Sequence, residues 1–425
     1  MNILVIGSGG REHALTWKIL QSSLVDKIYC IPGNAGMAEL AECVSLPISD
    51  FGGILEFIRM NKIDLTVVGP EQPLVEGLAD FLTENGQKVF GPGRAAAQME
   101  GSKVFAKELM QKYGIPTAAF GRFDNLPDAL HYIDRQPEGP IVVKADGLAA
   151  GKGAIVCQSL QEARQAARDM LEGGAFKEAG SRVVIEEFME GEEASLFVLT
   201  DGTNYRYLPP AQDFKRALDG DRGKNTGGMG SYAPTPLMTP EMIDRTLKEV
   251  VEPTLSALRS EGIVYKGVLY CGLMITKEGP KVVEFNCRFG DPETQVVLPL
   301  LKSDLVEIML ACAENRLQEV QVEFNAGYAV CVIAASGGYP ESYEKGKKIA
   351  GLSSLPEDIL LFHAGTKKSG SDVLTNGGRV LAVTATGATI KEAAEKAYKG
   401  IGQISFDGMF YRKDIAKKAI ERFEY

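Results

Sequence analysis

The first hundred residues alternate short apolar runs with helical stretches, and each apolar run ends in a turn rich in glycine or proline. The first run reads NILVIG, and the turns after successive runs read GSGG, PGNAG, GPEQP and GPGR. This alternation is typical of a parallel sheet with helices on both faces, in which ligands bind at the carboxyl ends of the strands. We therefore predict a doubly wound α/β domain over residues 1–100, with a binding site formed by these turns.

The rest of the 425-residue chain is long enough for further domains. A smaller α/β unit is predicted from apolar runs near 141–145, 153–157 and 182–187, with a helix from Leu160 to Leu171. The runs VLYCGLMIT and KVVEFN bracket the turn residues KEGP and so predict a hairpin. The domains that we expect are 1–100, 101–323 with a small subdomain at about 116–190, and 324–425.

Composition and charge narrow the classes of function. The net charge is −10 and no run of basic residues stands out, so we expect no nucleic-acid partner. No apolar stretch is long enough to span a bilayer, and the N-terminus lacks the basic leader of a signal peptide. Seven scattered cysteines without a C-x-x-C pair suit reduced thiols, and three isolated histidines argue against a zinc site or a histidine triad. We expect a cytoplasmic protein that acts on small molecules, with a monomer as the working expectation.

The run KVVEFNCRFGDPETQ, residues 281–295, carries the strongest chemical signal. Its apolar start predicts a strand that presents Glu284 and Asn286, two residues apart, on the same face. Carboxylate and carboxamide oxygens are hard ligands that suit Mg²⁺ held between protein and nucleotide phosphates. The charged turn RFGDPETQ follows at once, and a match over its eight fixed positions rarely arises by chance.

RFGDPETQ resembles the signature of the glycinamide ribonucleotide synthetases (phosphoribosylamine–glycine ligases), which are purine-biosynthesis enzymes of the ATP-grasp superfamily. The resemblance extends over nearly the whole chain. It includes GSGGREHA at 7–14, PGN at 32–34, VVGPEQPL at 67–74, VVKADGLAAGKG at 142–153 and DFKRALDGDRGKNTGGMGSYAP at 213–234.

The resemblance implies both a fold and a reaction. The fold is α/β and α+β multidomain: an ATP-grasp fold after the doubly wound parallel-sheet domain, with a mixed α/β domain at the C-terminus. The reaction joins glycine to 5-phosphoribosylamine, uses ATP and Mg²⁺ (or Mn²⁺), proceeds through glycyl phosphate and releases ADP. Its product is glycinamide ribonucleotide.

GSGGREHA also looks like a dinucleotide fingerprint, but two features argue against a nicotinamide oxidoreductase. Glu12 occupies the position of the third glycine, and the second strand ends in Pro32-Gly33-Asn34 rather than an acidic ribose ligand. The amides of a helix N-terminus and Arg11 still suit an anion such as a sugar phosphate, although the glycines also fit a plain tight turn. The resemblance implies that phosphoribosylamine binds here, at Gly9, Gly10, Arg11, Glu12, Asn34 and Glu71.

KADGLAAGKG is not a Walker A loop, because it is one residue short and Gly153 stands where a hydroxyl should hold Mg²⁺. It lies between two predicted strands and resembles the mobile glycine-rich flap that covers the triphosphate in ATP-grasp enzymes. The resemblance also implies nucleotide lysines, an adenine hinge and a ribose carboxylate. The ATP-binding residues are then Lys103, Lys144, Gly147, Gly151, Gly153, Glu186, Glu187, Phe188 and Glu193.

The predicted metal site has few protein ligands. Many ATP-grasp enzymes carry a further acidic ligand on the preceding strand, but here that strand reads VLYCGLM. Glu284 and Asn286 are therefore the only metal ligands that we predict, with phosphates and water completing the octahedron. The resemblance implies catalytic roles for Lys144, Arg288 and Asp291, and substrate-side roles for Asp213, Lys215, Arg216 and again Asp291.

Two further alternatives stay open from the residues alone. Another ATP-grasp carboxylate–amine ligase or a carboxylase of purine biosynthesis is disfavoured only by the RFGDPETQ and DFKRALDGD runs. A non-catalytic nucleotide-binding protein is disfavoured by the presence of Glu284, Asn286 and Lys144. Which acidic and basic residues contact glycine, and which contact phosphoribosylamine, is left undecided.

Overall fold

A computed structural model describes residues 1–148, 153–173 and 181–423 of the chain. The N-terminal part is a five-stranded parallel sheet in the order β3-β2-β1-β4-β5. Its strands are β1 (Asn2–Gly7), β2 (Lys27–Pro32), β3 (Glu42–Cys43), β4 (Leu65–Val68) and β5 (Val89–Phe90). Its helices are α1 (Gly10–Ile19), α2 (Met37–Leu40), α3 (Phe51–Met60), α4 (Glu71–Glu76) and α5 (Leu78–Glu84).

The N-terminal sheet is covered on both faces, as the alternation of its first strand requires. Ile3 and Val5 of β1 are fully buried in one apolar cluster with residues of α1. Leu4 and Ile6, which point to the opposite face, are buried in a second cluster with residues of α3. The prediction of a doubly wound parallel-sheet domain is therefore confirmed.

A small antiparallel subdomain follows helices α6 (Arg94–Gly101) and α7 (Lys103–Tyr113). Its four strands lie in the order β6-β9-β7-β8, with helices α8 and α9 packed against them. The bounds are β6 (Phe120–Phe123), α8 (Leu126–Ile133), β7 (Ile141–Ala145), β8 (Ala154–Cys157), α9 (Leu160–Leu171) and β9 (Val183–Glu187). The subdomain thus holds β7 and β9, whose ends carry predicted nucleotide residues, side by side.

The larger ATP-grasp sheet has the order β11-β10-β16-β17. Its last two strands form the predicted hairpin, with Lys277 and Glu278 in the turn. The strands of this region are β10 (Glu192–Thr200), β11 (Tyr205–Tyr207), β12 (Gln212–Asp213), β13 (Arg216–Leu218), β14 (Arg222–Asn225), β15 (Gly230–Ala233), β16 (Gly267–Thr276) and β17 (Gly279–Asn286). Helices α10 (Pro240–Thr246) and α11 (Glu252–Ser260) are joined by a π-helical turn over Leu247–Val251.

The C-terminal sheet has the order β12-β15-β18-β22-β19, and β23 also pairs with β18. The later strands are β18 (Tyr328–Ser336), β19 (Ile359–His363), β20 (Thr366–Ser369), β21 (Asp372–Thr375), β22 (Arg379–Gly387) and β23 (Met409–Phe410). The later helices are α12 (Thr294–Leu300), α13 (Leu305–Ala313), α14 (Ile390–Ile401) and α15 (Lys417–Phe423). Because β12 and β15 precede residue 324, this sheet runs across the boundary that we predicted there, and the domain division stays a prediction.

The units share their apolar cores. The cluster that contains Ile3 and Val5 also contains Phe289 and Val296, which flank the predicted metal strand and its turn. All seven cysteines are free thiols. Among the residues that the structure describes, no helix combines the length and the apolar character needed to cross a bilayer. The N-terminal sheet therefore packs directly on the elements that carry the predicted site.

Candidate active site

Glu284 lies on β17 at the meeting point of several cationic side chains. Burial would raise the pKa of this carboxyl group, but four nearby cations hold the pKa below its ordinary value. These cations are Lys215, Lys144, Lys103 and Arg288. All four were predicted from sequence as nucleotide, catalytic or substrate residues, so the fold brings that part of the prediction together around one ionised carboxylate.

Arg288, just beyond β17, joins the metal strand to two other elements. Its Nη2 donates to Glu100 Oε1 of α6 at 2.6 Å and approaches Asn286 Oδ1 at 3.4 Å. Its Nε donates to Glu71 Oε2, the first residue of α4, at 3.2 Å. Despite burial, Arg288 and Arg11 lower the pKa of Glu71 to about 2. Arg288 therefore holds Asn286 and the N-terminal domain in a fixed relation, with its charge compensated by two carboxylates.

Lys144 and Lys107 bind the same oxygen of Glu186. Their Nζ atoms lie 3.0 and 3.1 Å from Glu186 Oε2, and Lys144 also donates to Val283 O of β17 at 3.0 Å. Burial lowers the pKa of Lys107 to about 8, although Glu186 opposes the shift. The other oxygen, Oε1, is buried and has no hydrogen-bond partner within the described part of the chain. The pair of lysines thus fixes the orientation of the hinge carboxylate.

The remaining predicted ATP-binding residues surround this group. Lys103 Nζ donates to Gly147 O at 2.9 Å, and Glu187 Oε1 accepts from Ala119 N at 3.0 Å. Phe188 is exposed at the end of the hinge, with 42% of its surface accessible. Gly153 begins the second described segment, and Gly151 lies outside the described residues. The hinge and the phosphate lysines are therefore placed beside one another, while the central part of the predicted flap is not described.

Asp213, Lys215 and Glu193 form a half-buried charged group next to Glu284. Lys215 Nζ contacts Glu193 Oε2. The carboxylates of Glu193 and Asp213 hold the pKa of Lys215 above its usual value despite burial. Burial raises the pKa of Asp213 to about 7; Lys215 opposes the shift and the other carboxylates reinforce it. A carboxyl group with a pKa near neutrality suits a site that must receive an amine.

Glu293 extends this charged group toward the interior. Its Oε1 accepts hydrogen bonds from Tyr270 OH at 3.0 Å and from Ser195 Oγ at 3.2 Å. All three residues are buried. Arg216, in contrast, lies on the β13–β14 hairpin, where its Nη1 donates to Gly223 O at 2.9 Å. A substrate contact for Arg216 stays a prediction.

A cavity of about 510 Å³ opens at the carboxyl end of the N-terminal sheet. Three of the predicted turns and the start of α1 line it, through Gly7, Ser8, Gly9, Arg11, Glu12, Pro32 and Pro70. The loop after β3, which was not predicted to take part, completes the walls with Ser45, Leu46, Pro47 and Ile48. Glu12 replaces the third fingerprint glycine because it binds back across the turn, where its Oε2 accepts from Gly9 N at 2.6 Å. Gly7 has no room for a side chain, since a Cβ there would lie 2.5 Å from Glu12 Cγ.

Several polar groups of this turn region are already used by the chain itself. Arg11 Nε donates to Glu12 Oε1 at 2.5 Å and its Nη1 to Phe289 O at 3.1 Å. Asn34 gives its amide hydrogens to Ser8 O at 2.9 Å and His363 O at 2.8 Å. Its Oδ1 accepts from two backbone amides of its own loop. A substrate contact for Asn34 stays a prediction, and its observed contacts shape the turn.

Asp291 connects three parts of the molecule. Its Oδ2 accepts from Arg11 N at 3.3 Å, and its Oδ1 lies 2.8 Å from Gln295 Nε2 and 3.3 Å from Arg379 Nη1. Burial would raise its pKa, but Arg379 and Arg11 hold the pKa below the ordinary value. Gly10 packs here as well, because a Cβ would meet Gln295 Nε2 at 2.7 Å. Asp291 thus remains ionised between the N-terminal cavity and the metal strand.

Sequence reasoning missed four residues of this region. Lys107 follows Lys103 by one turn of α7, so its helical spacing was a usable signal, whereas Glu100 lies on the preceding helix α6. Glu293 was visible in the RFGDPETQ turn, but its bonds to β10 and β16 were not. Arg412 carried no signal, because it lies 196 residues from Arg216, whose carbonyl it binds at 3.1 Å.

Arg412 stabilises the hairpin β13–β14 through the hydrogen bonds of its buried side chain. It is 1% exposed, and its Nε and Nη2 each lie 2.8 Å from an oxygen of Asp414. Its Nη1 also binds Asp221 Oδ1 at 3.0 Å, and its guanidinium lies 4.9 Å from the Phe214 ring centre. Since Phe214 stands between Asp213 and Lys215, the C-terminal segment helps to place the charged group beside Glu284.

Three sequence families match the chain. The N domain of phosphoribosylglycinamide synthetase matches residues 1–100, its ATP-grasp (A) domain matches 101–294, and its C domain matches 329–418. A phosphoribosylamine–glycine ligase of Vibrio vulnificus (strain YJ016) is 51% identical over 426 residues, covering 99% of each chain. One from Allochromatium vinosum is 52% identical over the same length and the same coverage.

Solved structures agree with these matches. The crystal structure of phosphoribosylamine–glycine ligase from Thermotoga maritima superimposes with a TM-score of 0.86 at 37% identity, covering 98% of this chain and all of that one. The biotin carboxylase domain of 2-oxoglutarate carboxylase from Hydrogenobacter thermophilus, in complex with MgADP, has a TM-score of 0.73 at 17% identity over 100% of this chain and 98% of its own. This second likeness supports the ATP-grasp fold alone. The chain belongs to the phosphoribosylglycinamide synthetase family, whose members are ATP-grasp ligases that use ATP and a divalent metal.

Proposed function

We propose that this chain joins glycine to 5-phosphoribosylamine at the expense of ATP, forming glycinamide ribonucleotide, ADP and phosphate for purine biosynthesis. Relatives about half identical over their full length carry the name of this ligase. The observation that carries the proposal is the convergence of Lys103, Lys144, Lys215 and Arg288 on Glu284. The ionised carboxylate suits the metal ion of a metal–triphosphate complex, and the four cations suit its phosphates.

The chemistry is phosphoryl transfer followed by acyl transfer. ATP phosphorylates the glycine carboxylate to glycyl phosphate, and the amine of phosphoribosylamine then attacks the carbonyl carbon and displaces phosphate. Such reactions depend chiefly on positioning and on neutralising developing charge. Lys103 and Lys144, from α7 and β7, are the residues that we assign to the phosphates. Lys107 of the same helix and Lys144 of the strand both bind Glu186. This shared contact holds the helix and the strand, and with them the two ammonium groups, in a fixed relative position.

The proposed metal site fits Mg²⁺, or Mn²⁺ in its place. Glu284 is held in its charged form and Asn286 offers a carboxamide oxygen, so both donors are hard oxygens. Within residues 1–148, 153–173 and 181–423, no group of three or more His, Cys, Asp or Glu side chains is arranged to hold a metal ion. A bound metal would neutralise the triphosphate, and the nucleotide would supply most of its ligands.

We assign the two remaining substrates to separate places. Glycine is assigned to the group around Asp213 and Lys215, which offers a carboxylate for the ammonium and an ammonium for the carboxylate. Phosphoribosylamine is assigned to the 510 Å³ cavity beside Arg11. We place Asp291, which accepts from the backbone amide of Arg11, between these two substrates. The amine of phosphoribosylamine would therefore approach the glycyl carbonyl past Asp291.

The test is the substrate dependence of ADP release. Purified protein is incubated with ATP and Mg²⁺, and glycine and freshly prepared phosphoribosylamine are each omitted in turn. ADP release that needs both compounds supports the proposal. ADP release that needs bicarbonate or formate, and is indifferent to glycine, would instead support a carboxylase or another purine-pathway ligase of the same fold.

We further propose that the enzyme works in the cytoplasm as a monomer and acts only on small molecules. Seven free thiols support a reducing compartment. Size-exclusion chromatography with light scattering tests the oligomeric state, and a mass near 46 kDa is expected from the 45.9 kDa chain.

A further inference from the structure

Two cysteines stand side by side at the edge of the N-terminal sheet. Cys30 of β2 and Cys43 of β3 are direct partners in the parallel register. Adjacent strands lie about 4.8 Å apart, and disulfides join Cα atoms separated by about 4.4 to 6.8 Å. Cys30 is buried and Cys43 is half-buried, so one sulfur of the pair is within reach of solvent. The backbone spacing therefore permits a bond between the two sulfurs without rearranging the sheet.

The two side chains also lie against the same glycine. A Cβ built on Gly33 would lie 3.2 Å from the Cβ of each cysteine and 2.3 Å from Cys43 Sγ. The adjacent Cys30 thiol, a contact to Asn34 and the charge of Lys368 lower the pKa of the Cys43 thiol. Burial raises the pKa of all five cysteines outside the pair.

We propose that Cys30 and Cys43 form a dithiol that hydrogen peroxide oxidises to a disulfide, and that this bond alters the turn at residues 32–34 beside the N-terminal cavity. The Cys43 thiolate attacks one peroxide oxygen, the O–O bond breaks and hydroxide leaves, which gives a sulfenic acid. The Cys30 sulfur then attacks the Cys43 sulfur, the S–O bond breaks, and the Cys30 proton leaves with the hydroxyl group as water. One peroxide thus oxidises two thiols and yields two waters.

The turn is coupled to the pair through direct contacts. Cys43 Sγ donates a long hydrogen bond of 3.9 Å to Asn34 O, and its sulfur packs against Gly33, whose φ is +73°. Pro32 of the same turn lines the cavity, and the Asn34 side chain donates to the backbone oxygen of Ser8, which also lines it. A bond to Cys30 draws the Cys43 sulfur away from Asn34 O. This effect on substrate binding rests on the proposed function of the cavity.

The site itself is tested by mass spectrometry, which needs no activity. Reduced protein is treated with peroxide, the remaining thiols are alkylated, and the peptides are mapped. We expect the peptides of Cys30 and Cys43 to be linked, with the loss of two hydrogen atoms. Dithiothreitol should reduce this link and release the two peptides. In Cys30→Ala, Cys43 should accumulate as a sulfenic acid that dimedone traps, whereas Cys312→Ala should still form the link. Oxidation of Cys43 to a sulfinic acid while Cys30 remains alkylatable would overturn the proposal.

The coupling to the cavity is tested by kinetics on the same samples. The oxidised protein should show a several-fold higher KM for phosphoribosylamine and an unchanged KM for ATP, and Cys43→Ala should not respond to peroxide. A disulfide that forms without changing the KM for phosphoribosylamine would refute the coupling. If the reduced protein released no ADP with glycine and phosphoribosylamine, the proposed function would fail, while the peptide map would still decide whether the dithiol exists.

Discussion

At the scale of single residues, Glu284 is the position where charge and chemistry coincide. We expect Glu284→Gln to lower turnover by about 100-fold or more, because it removes the anionic metal ligand from a group of four cations. Glu278→Gln is the matched control, since this glutamate lies 76% exposed in the turn of the same hairpin and should leave turnover unchanged. Steady-state rates and circular dichroism of both variants check the prediction. Near-normal activity of Glu284→Gln at low Mg²⁺ would contradict the metal assignment.

Lys144 and Arg11 should fail in different ways. Lys144→Met removes one of the two ammonium groups on Glu186 Oε2 and should raise the KM for ATP. Arg11→Met changes the wall of the N-terminal cavity and should raise the KM for phosphoribosylamine instead. Measuring both KM values in both variants separates the effects. Equal losses of ATP affinity would mean that the two residues serve one site.

Asp213 predicts a pH dependence whose sign follows from its raised pKa. Its folded-state pKa is about 7 against an ordinary value of 3.8, so between these values the folded state holds the extra proton. The contribution of this group to stability therefore falls as pH rises through that window. Binding of the glycine ammonium needs the ionised form, so kcat/KM for glycine should rise through about pH 7. Asp213→Asn should abolish that rise; a profile unchanged in the variant would exclude this role.

At the scale of secondary-structure elements, the hairpin β13–β14 depends on a distant residue. Arg412→Met should lower the free energy of unfolding by about 2 kcal/mol. This loss is smaller than that expected on breaking a fully buried ion pair, because Asp221 and Asp414 can reach solvent. The looser hairpin should also raise the KM for glycine several-fold and leave that for ATP unchanged. Lys413→Met is the control, because this neighbour is exposed and only its backbone amide binds Asp219. Equal changes in both KM values would indicate a general loss of folding.

Elements with a strong local signal were predictable, and those defined by distant partners were not. The strands β1, β2 and β7 and the helix α9 follow from apolar periodicity, and Glu284 and Asn286 follow from their spacing on one strand. β6 was missed because FGRF is short and none of its residues is fully buried. The strand β15 joins the C-terminal sheet by pairing with β18, and β12 joins it by pairing with β15; no local pattern encodes the long-range contact with β18.

At the scale of the whole molecule, the two substrate regions are connected by charged groups rather than by one domain. Arg288 binds Glu71 of the N-terminal domain, and Asp291 binds Arg379 of β22 together with the backbone of Arg11. The turn RFGDPETQ is therefore the point at which all three parts of the chain meet. This explains why one short motif is informative about the whole protein: Arg288 has a partner on the N-terminal domain, Asp291 has one on the C-terminal sheet, and Glu293 has partners on β10 and β16.

The complete reaction makes one prediction that no single site makes alone. If ATP phosphorylates the carboxylate of glycine, one carboxylate oxygen leaves as part of inorganic phosphate when the amine attacks. Glycine labelled with heavy oxygen in its carboxylate should therefore give phosphate that carries one labelled atom per turnover, measured by mass spectrometry. The residues favour this route, because the four cations around Glu284 would neutralise the charge that develops on phosphate in both steps. A phosphoenzyme hydrolysed by water would give unlabelled phosphate, and nucleotidyl transfer would release AMP; either result would overturn the glycyl phosphate route even if both substrates were correct.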